Sequence, residues 1–201
     1  MLAETSQEAF WSGSFGDAYV ERTRAGALGG RLNLFSKILS KTGAVESVLE
    51  LGCNIGHNLD AIKALLPCDT AGIEINLKAG QEAARKSHRV FQESILNFDT
   101  GERFDLVFTY GVLIHIDPVR LNVVYDKMYE FSRRYVLLNE YFNPVPVEVG
   151  YRGHAGRLFK RDFAKELMSR HPLELVDYGF VWSGDPAFPL DDSNWFLFRK
   201  R

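Results

Sequence analysis

With 201 residues, 46% of them hydrophobic, the chain holds enough apolar material for one substantial core, and nothing in its composition calls for a second. Its 24 Lys plus Arg against 26 Asp plus Glu leave a net charge of -2, which gives no field for nucleic acid or an anionic membrane and excludes both as expected partners. Cys53 and Cys68 form neither a CxxC pair nor a metal spacing, so they read as free thiols of a reducing cytoplasm and no metal is expected.

The start, Met1-Leu2-Ala3-Glu4-Thr5, has neither a basic n-region nor an apolar run, and no stretch approaches the roughly 18 apolar residues of a membrane span. A soluble, unprocessed chain is expected. Residues 1–45 read as helices that cap the core. Phe10-Trp11-Ser12-Gly13-Ser14-Phe15-Gly16-Asp17 mixes aromatics with glycines, with Asp17 as a helix cap. Such a segment either closes over a ligand or seals the core. Tyr19 and Arg22 share a helical face and reach toward cofactor or substrate. Leu28, Leu32, Phe35 and Leu39 form an apolar stripe that Gly43 can stop.

Val48-Leu49-Glu50-Leu51-Gly52-Cys53-Asn54-Ile55-Gly56-His57-Asn58-Leu59 then reads as a buried strand, a glycine turn and a helix start. Glycines there allow positive φ and let a ligand lie on bare backbone, beside the free N–H groups of the first helical turn. A dinucleotide turn would read G-x-G-x-x-G; here Gly52 and Gly56 flank Asn54, and the anionic Glu50 comes just before the turn. A pyrophosphate disfavours that charge, whereas the ammonium of a methionine moiety favours it. Glu74 ends the next apolar run, 18 residues after Gly56, where an acidic side chain binds ribose hydroxyls. Together these point to S-adenosyl-L-methionine, with S-adenosyl-L-homocysteine as product. The plainer reading of the glycines alone is the first turn of any doubly wound domain.

The chain goes on with a strand over 69–75, a helix over 78–87 with Ala79, Ala83 and Ala84 inward, and a strand over 89–92, a βαβαβ half. A fourth strand covers 104–109. Ligands in open α/β sheets lie outside the carboxyl ends of strands, which places Thr109 at the cofactor and Tyr110 at the acceptor. Asp117 caps, and Pro118 begins, a helix carrying Leu121, Val124, Tyr125 and Met128. The fifth strand, 134–141, ends in Asn139, Glu140 and Tyr141, the last expected on the acceptor. Residues 142–160 read as an irregular acceptor-binding loop, or else a solvated crossover, because prolines and glycines forbid a long helix. Tyr151, Arg152 and His154 are its polar contacts. A helix over 161–169 and strands over 173–181 and 194–199 close the chain. The expected fold is α/β, a doubly wound, mostly parallel seven-stranded sheet in one domain over 1–201, with an N-terminal helical cap.

The run VLELGCNIGHNL, then GIEIN, ESILNFD and FDLVFTYGVLIHID, resembles in order the motifs of class I S-adenosylmethionine-dependent methyltransferases. EYFNPVPVEVGYRGHAGRLFKRDF and LVDYGFVW are similar to the methylases associated with pseudaminic acid biosynthesis. The resemblance covers nearly the whole chain; Asn54 departs from the commonest turn. It implies that Ser94 and Ile95 flank the adenine and that the acceptor is a bacterial sugar, a nonulosonic acid or nucleotide sugar, or a precursor.

Methyl transfer from a sulfonium is an in-line displacement to which a protein contributes mainly alignment. A hydroxyl acceptor gains from a general base, a carboxylate needs none, and an amine must only arrive unprotonated. His115 is the leading base, with His154 and Glu140 as the others. Arg152 offers a planar fork to a carboxylate or phosphate. His57 reads as filling the helix entrance, and His88 and His171 as superficial. The alternatives are a natural-product or peptide acceptor, carboxylate methylation included, an NAD-dependent dehydrogenase, and a non-catalytic cofactor-binding partner subunit. The protein is expected as a monomer or homodimer.

Overall fold

The computed structural model describes residues 4–201, so the reading of Met1, Leu2 and Ala3 lies outside the described residues. The chain begins with helices α1 (Ser6–Ser12), α2 (Ser14–Thr23) and α3 (Leu28–Leu39). Then strand and helix alternate: β1 (Ser47–Leu51), α4 (His57–Leu65), β2 (Asp69–Glu74), α5 (Leu77–Arg85), β3 (Arg89–Gln92) and β4 (Phe104–Tyr110). After short turns at Leu113–His115 and Pro118–Arg120 come α6 (Leu121–Phe131) and β5 (Ser132–Glu140). The chain finishes with β6 (Val147–Tyr151), β7 (His154–Lys160), α7 (Phe163–Arg170), β8 (Leu173–Val181) and β9 (Ser193–Lys200).

Seven strands make one sheet in the order β3-β2-β1-β4-β5-β9-β8. The first five pair in parallel, and β9 runs antiparallel to both β5 and β8. Val48, Leu49 and Leu51 are fully buried in β1, as are Leu106, Val107 and Phe108 in β4, as expected of strands covered on both faces. Helices on the two sides bury separate cores, one around Tyr125, Met128 and Phe198, the other around Phe35, Ile38 and Leu59. Between β1 and β4 the chain direction of the crossovers reverses, so a crevice opens beyond their carboxyl ends.

Several local expectations are corrected. Residues 142–160 are not an irregular loop: Pro144 and Pro146 precede the β6–β7 hairpin, whose turn is Arg152-Gly153 with φ of +50° and +84°. Gly153 supplies the left-handed residue that a two-residue hairpin turn requires. Asp17 lies inside α2 instead of capping it, and accepts a hydrogen bond from Asn76 Nδ2 at 2.9 Å. The buried stripe of α3 is Leu34, Phe35, Ile38 and Leu39, while Leu28 is exposed. Ala84 faces solvent. His88 is buried, not superficial: its Nδ1 meets Thr70 Oγ1 at 2.8 Å and its Nε2 meets Asp60 at 3.0 Å. His171 stacks on Tyr129 with ring centroids 4.4 Å apart.

His88 also fixes the glycine turn. Gly56 has φ +79°, and a Cβ there would stand 2.8 Å from the His88 ring and 3.3 Å from Ala83 Cβ. Gly56→Ala combines left-handed strain with that overlap and is expected to cost about 1–3 kcal/mol. Urea unfolding checks it: the midpoint should fall with an unchanged denaturant slope.

Candidate functional site

The crevice beyond β1, β2 and β4 is a cavity of about 540 Å³, the size of a small-molecule site. The sheet supplies its floor and α1 and α2 its cover. At the end of β1 the chain turns through Gly52 and Asn54, with φ of +75° and +47°. A Cβ on Gly52 would meet Val112 Cγ2 at 2.7 Å, so only glycine leaves that wall open.

Two buried carboxylates define the floor. Glu74 accepts hydrogen bonds from the backbone N–H groups of Asn54 (Oε2, 2.7 Å) and Asn76 (Oε1, 2.7 Å). Burial nevertheless raises its pKa above the ordinary carboxylate value. Glu50 accepts from Asn58 Nδ2 at 2.6 Å through Oε1, whereas its Oε2 is buried without a partner. Burial pushes the Glu50 pKa up to about 8, against the opposing hydrogen bond from Asn58 and the charge of Arg31. Arg31 Nε in turn donates to Asn58 Oδ1 at 2.8 Å. A buried carboxylate oxygen lacking a donor is costly unless a ligand supplies one.

The cover is aromatic. Trp11 lies 4.6 Å from His115 and 5.3 Å from Tyr19, ring centre to ring centre, and Phe10 stacks on Phe15 at 4.0 Å. His154 packs edge-on against Phe10, and Tyr151 lies 4.9 Å from His115, so the hairpin closes against the helices. Asn54 Nδ2 donates to Thr23 Oγ1 at 3.2 Å, and Asn76 Nδ2 donates to the Trp11 carbonyl at 3.3 Å. The floor thus holds the cover directly.

His115 Nδ1 is 2.6 Å from the Arg157 carbonyl oxygen. A carbonyl only accepts, so Nδ1 carries the proton and Nε2 presents a lone pair. Burial lowers the His115 pKa to about 4, and the ring is neutral at neutral pH. Glu140 is placed differently: both its oxygens accept backbone N–H groups, of Val112 at 3.1 Å and Ile114 at 3.4 Å. Burial raises its pKa to about 7. It shapes the turn beneath the cavity and does not line it.

Of the residues singled out in the sequence, Tyr19, Arg22, Glu50, Gly52, Asn54, Glu74, Ser94, Ile95, Tyr110 and His115 line this one cavity. Gly56 sits behind the turn, and Thr109 is fully buried, its hydroxyl acting on the Glu140 carboxylate and not facing the cavity. Tyr141, Tyr151, Arg152 and His154 stand outside the lining, with Arg152 and His154 exposed on the hairpin. Sequence reasoning missed Arg31, Asn58 and Asp191, which line the cavity. Asn58 carried a signal, a polar residue on the inner face of α4; the other two carried none. Among the described residues, no group of three or more His, Cys, Asp or Glu side chains is placed to hold a metal ion, and no helix is long and apolar enough to cross a membrane.

In sequence, no family model and no curated protein matches the chain. Solved structures match it in shape along its full length. The sugar N-methyltransferase KedS8 from Streptoalloteichus sp ATCC 53650 superposes with a TM-score of 0.68 at 15% identity, covering 100% of this chain and 96% of that one. Magnesium protoporphyrin IX methyltransferase (ChlM) from Synechocystis PCC 6803 with bound SAH gives 0.68 at 14% identity, covering 96% and 97%. The fold is that of class I methyltransferases. CalS10 from Micromonospora echinaspora, an amino pentose methyltransferase with SAM bound, gives 0.65 at 14% identity, covering 94% and 97%.

The Glu50 shift has a stability consequence. The folded chain keeps the Glu50 proton up to about pH 8, whereas an unfolded glutamate releases it near 4.5. Between those values the unfolded state binds fewer protons, so stability falls as pH rises. Glu50→Gln removes that loss. In the ligand-free protein its Tm should exceed that of the parent at pH 8, and the gap should close toward pH 5.

Proposed function

We propose that the protein is an S-adenosylmethionine-dependent methyltransferase acting on a small molecule. The observation that carries this reading is the partnerless, buried Glu50 oxygen in the cavity wall, with Glu74 across the glycine turn. The site fits the cofactor. Glu50 suits the ammonium of the methionine moiety, Glu74 the ribose hydroxyls, and Ser94 with Ile95 the adenine, while Gly52 leaves the backbone bare. When bound, S-adenosylmethionine supplies a methyl carbon on a sulfonium centre and leaves as S-adenosylhomocysteine. The protein's own part is alignment: the aromatic cover excludes water, and neutral His115 offers Nε2 to the acceptor's N–H or O–H.

The acceptor we infer is the nitrogen or oxygen of a bacterial sugar, a nonulosonic acid or nucleotide sugar, or its precursor. The resemblance of the tail segments to pseudaminic acid-associated methylases supports this, as does the likeness in shape to KedS8 and CalS10. The cavity is open, which speaks against a non-catalytic partner subunit. Glu50 and Asn54 speak against a dinucleotide. We place the protein in the cytoplasm, as a monomer or homodimer without a nucleic-acid or membrane partner.

Calorimetric and thermal-shift titrations with S-adenosylmethionine, S-adenosylhomocysteine and NADH test the reading. Both sulfur compounds should bind and NADH should not; a ligand at 100 times its Kd stabilises by about 2.7 kcal/mol. Glu74→Ala should weaken binding by roughly 10–100-fold, the worth of hydrogen bonds to a charged group. Binding of NADH alone would sink the proposal.

A further inference from the structure

At the end of the cavity over β4 and β5, Tyr110 and, from α2, Tyr19 line the wall. Tyr110 pairs in register with Asn139 of β5, and Tyr141 follows two residues later. Asn139 is joined to Ser193 by hydrogen bonds of 3.0 and 3.2 Å between their buried side chains, which pins the β8–β9 loop here. Leu190, on the other side, is buried beside Gly30 of α3. Asp191 lies between these anchors and lines the cavity rim. The neighbouring acids are engaged: Asp185 accepts from the N–H groups of Ala187 and Phe188, and Asp192 from that of Ser183. Among the described residues, Asp191 has no hydrogen bond or ion pair, and neither do the hydroxyls of Tyr19, Tyr110 and Tyr141. Burial raises the pKa of all three phenols, and the charge of Asp191 adds to that rise, against the charge of Arg31 at Tyr19 and Tyr110.

We propose that this end of the cavity is the acceptor subsite and that it selects an amine, with Asp191 holding the acceptor in its ammonium form among the tyrosines. The inference deepens the methyltransferase reading and rests on it. The Asp191 carboxylate on the cavity rim offers an ammonium a counter-charge. It repels an acceptor whose attacking group is a carboxylate.

The chemistry agrees with the groups available. Glu140 has both oxygens on backbone amides, and burial lowers the His115 pKa to about 4, so neither is a strong base toward a hydroxyl proton. An amine needs no base in the transfer step. After one proton has left the ammonium for solvent, the nitrogen lone pair forms the bond to the methyl carbon. The carbon–sulfur bond breaks with its pair kept by sulfur, and the positive charge passes from sulfur to nitrogen. His115 Nε2 accepts an N–H hydrogen bond and orients the lone pair.

Saturation-transfer NMR on the protein loaded with S-adenosylhomocysteine tests this, with aminodeoxy hexoses as probes, each paired with its N-acetylated form. The free amines should take up at least fivefold more saturation than their N-acetyl partners. Asp191→Asn should erase that preference and Asp191→Glu should restore it, while calorimetric affinity for S-adenosylhomocysteine stays within twofold. Equal uptake by both forms, uptake by neither, or a preference that survives in Asp191→Asn overturns the proposal. Failure of S-adenosylhomocysteine to bind would instead count against the cofactor reading, and the same NMR comparison on the unloaded protein then decides the amine preference by itself.

Discussion

Two carboxylates, Glu50 and Glu74, stand in the ends of adjacent parallel strands, fully inside the protein, and the surrounding architecture answers to the cost of keeping them there. Burying a carboxylate requires donors on its oxygens. Glu74 takes them from the backbone of Asn54 and Asn76, which forces the glycine turn and the start of α5 into register with each other. Glu50 takes one from Asn58, which is itself oriented by Arg31, and leaves its other oxygen facing nothing. An arrangement optimised for stability alone would close that gap with a donor or an apolar side chain. Leaving it open is what a site does when the missing donor arrives with the ligand.

The same residues carry the cover. Asn54 and Asn76 use their backbone amides on Glu74 and their side chains on the N-terminal helices, at Thr23, Trp11 and Asp17. Asn54 replaces the glycine common at this turn; asparagine tolerates the left-handed backbone and adds a tether that glycine lacks. On the opposite side, Gln7 donates to the Gly156 carbonyl and Arg157 donates to Ser6, so α1 is also fastened to the β6–β7 hairpin. The carbonyl of Arg157 in turn sets the His115 tautomer. The cavity floor, its cover and the β6–β7 hairpin are thus tied together by hydrogen bonds.

The central sheet was legible because strands buried on both faces appear as apolar runs, as at Val48–Leu51 and Leu106–Phe108. The floor of the site was legible because the motif is local: Glu50, Gly52 and Asn54 lie within one turn. The hairpin was hidden because β6 is exposed along most of its length, so no alternation marks it, and its glycines read as breakers. The direction of Glu140 was hidden for the opposite reason. Every residue from Tyr135 to Glu140 is buried, so burial does not reveal which face points to the cavity. Arg31 and Asn58 meet across 27 residues of chain, and Asp191 differs from Asp185 and Asp192 only in having nothing to hold.

What the site lacks also orders its chemistry. Catalysis by a strong base would call for a group titrating near neutrality with a free oxygen or nitrogen in the cavity. Glu140 titrates there but has both oxygens on amides, and His115 has a free nitrogen but burial lowers its pKa to about 4, which leaves it a weak base. In the methyltransferase we propose, acceleration comes from holding two reactants in line and dry, with Glu50 gripping one charged end and the aromatic cover fixing the distance. On that proposal the identity of the acceptor rests with the rim, where the β8–β9 loop meets β5, and the floor is left to the cofactor alone.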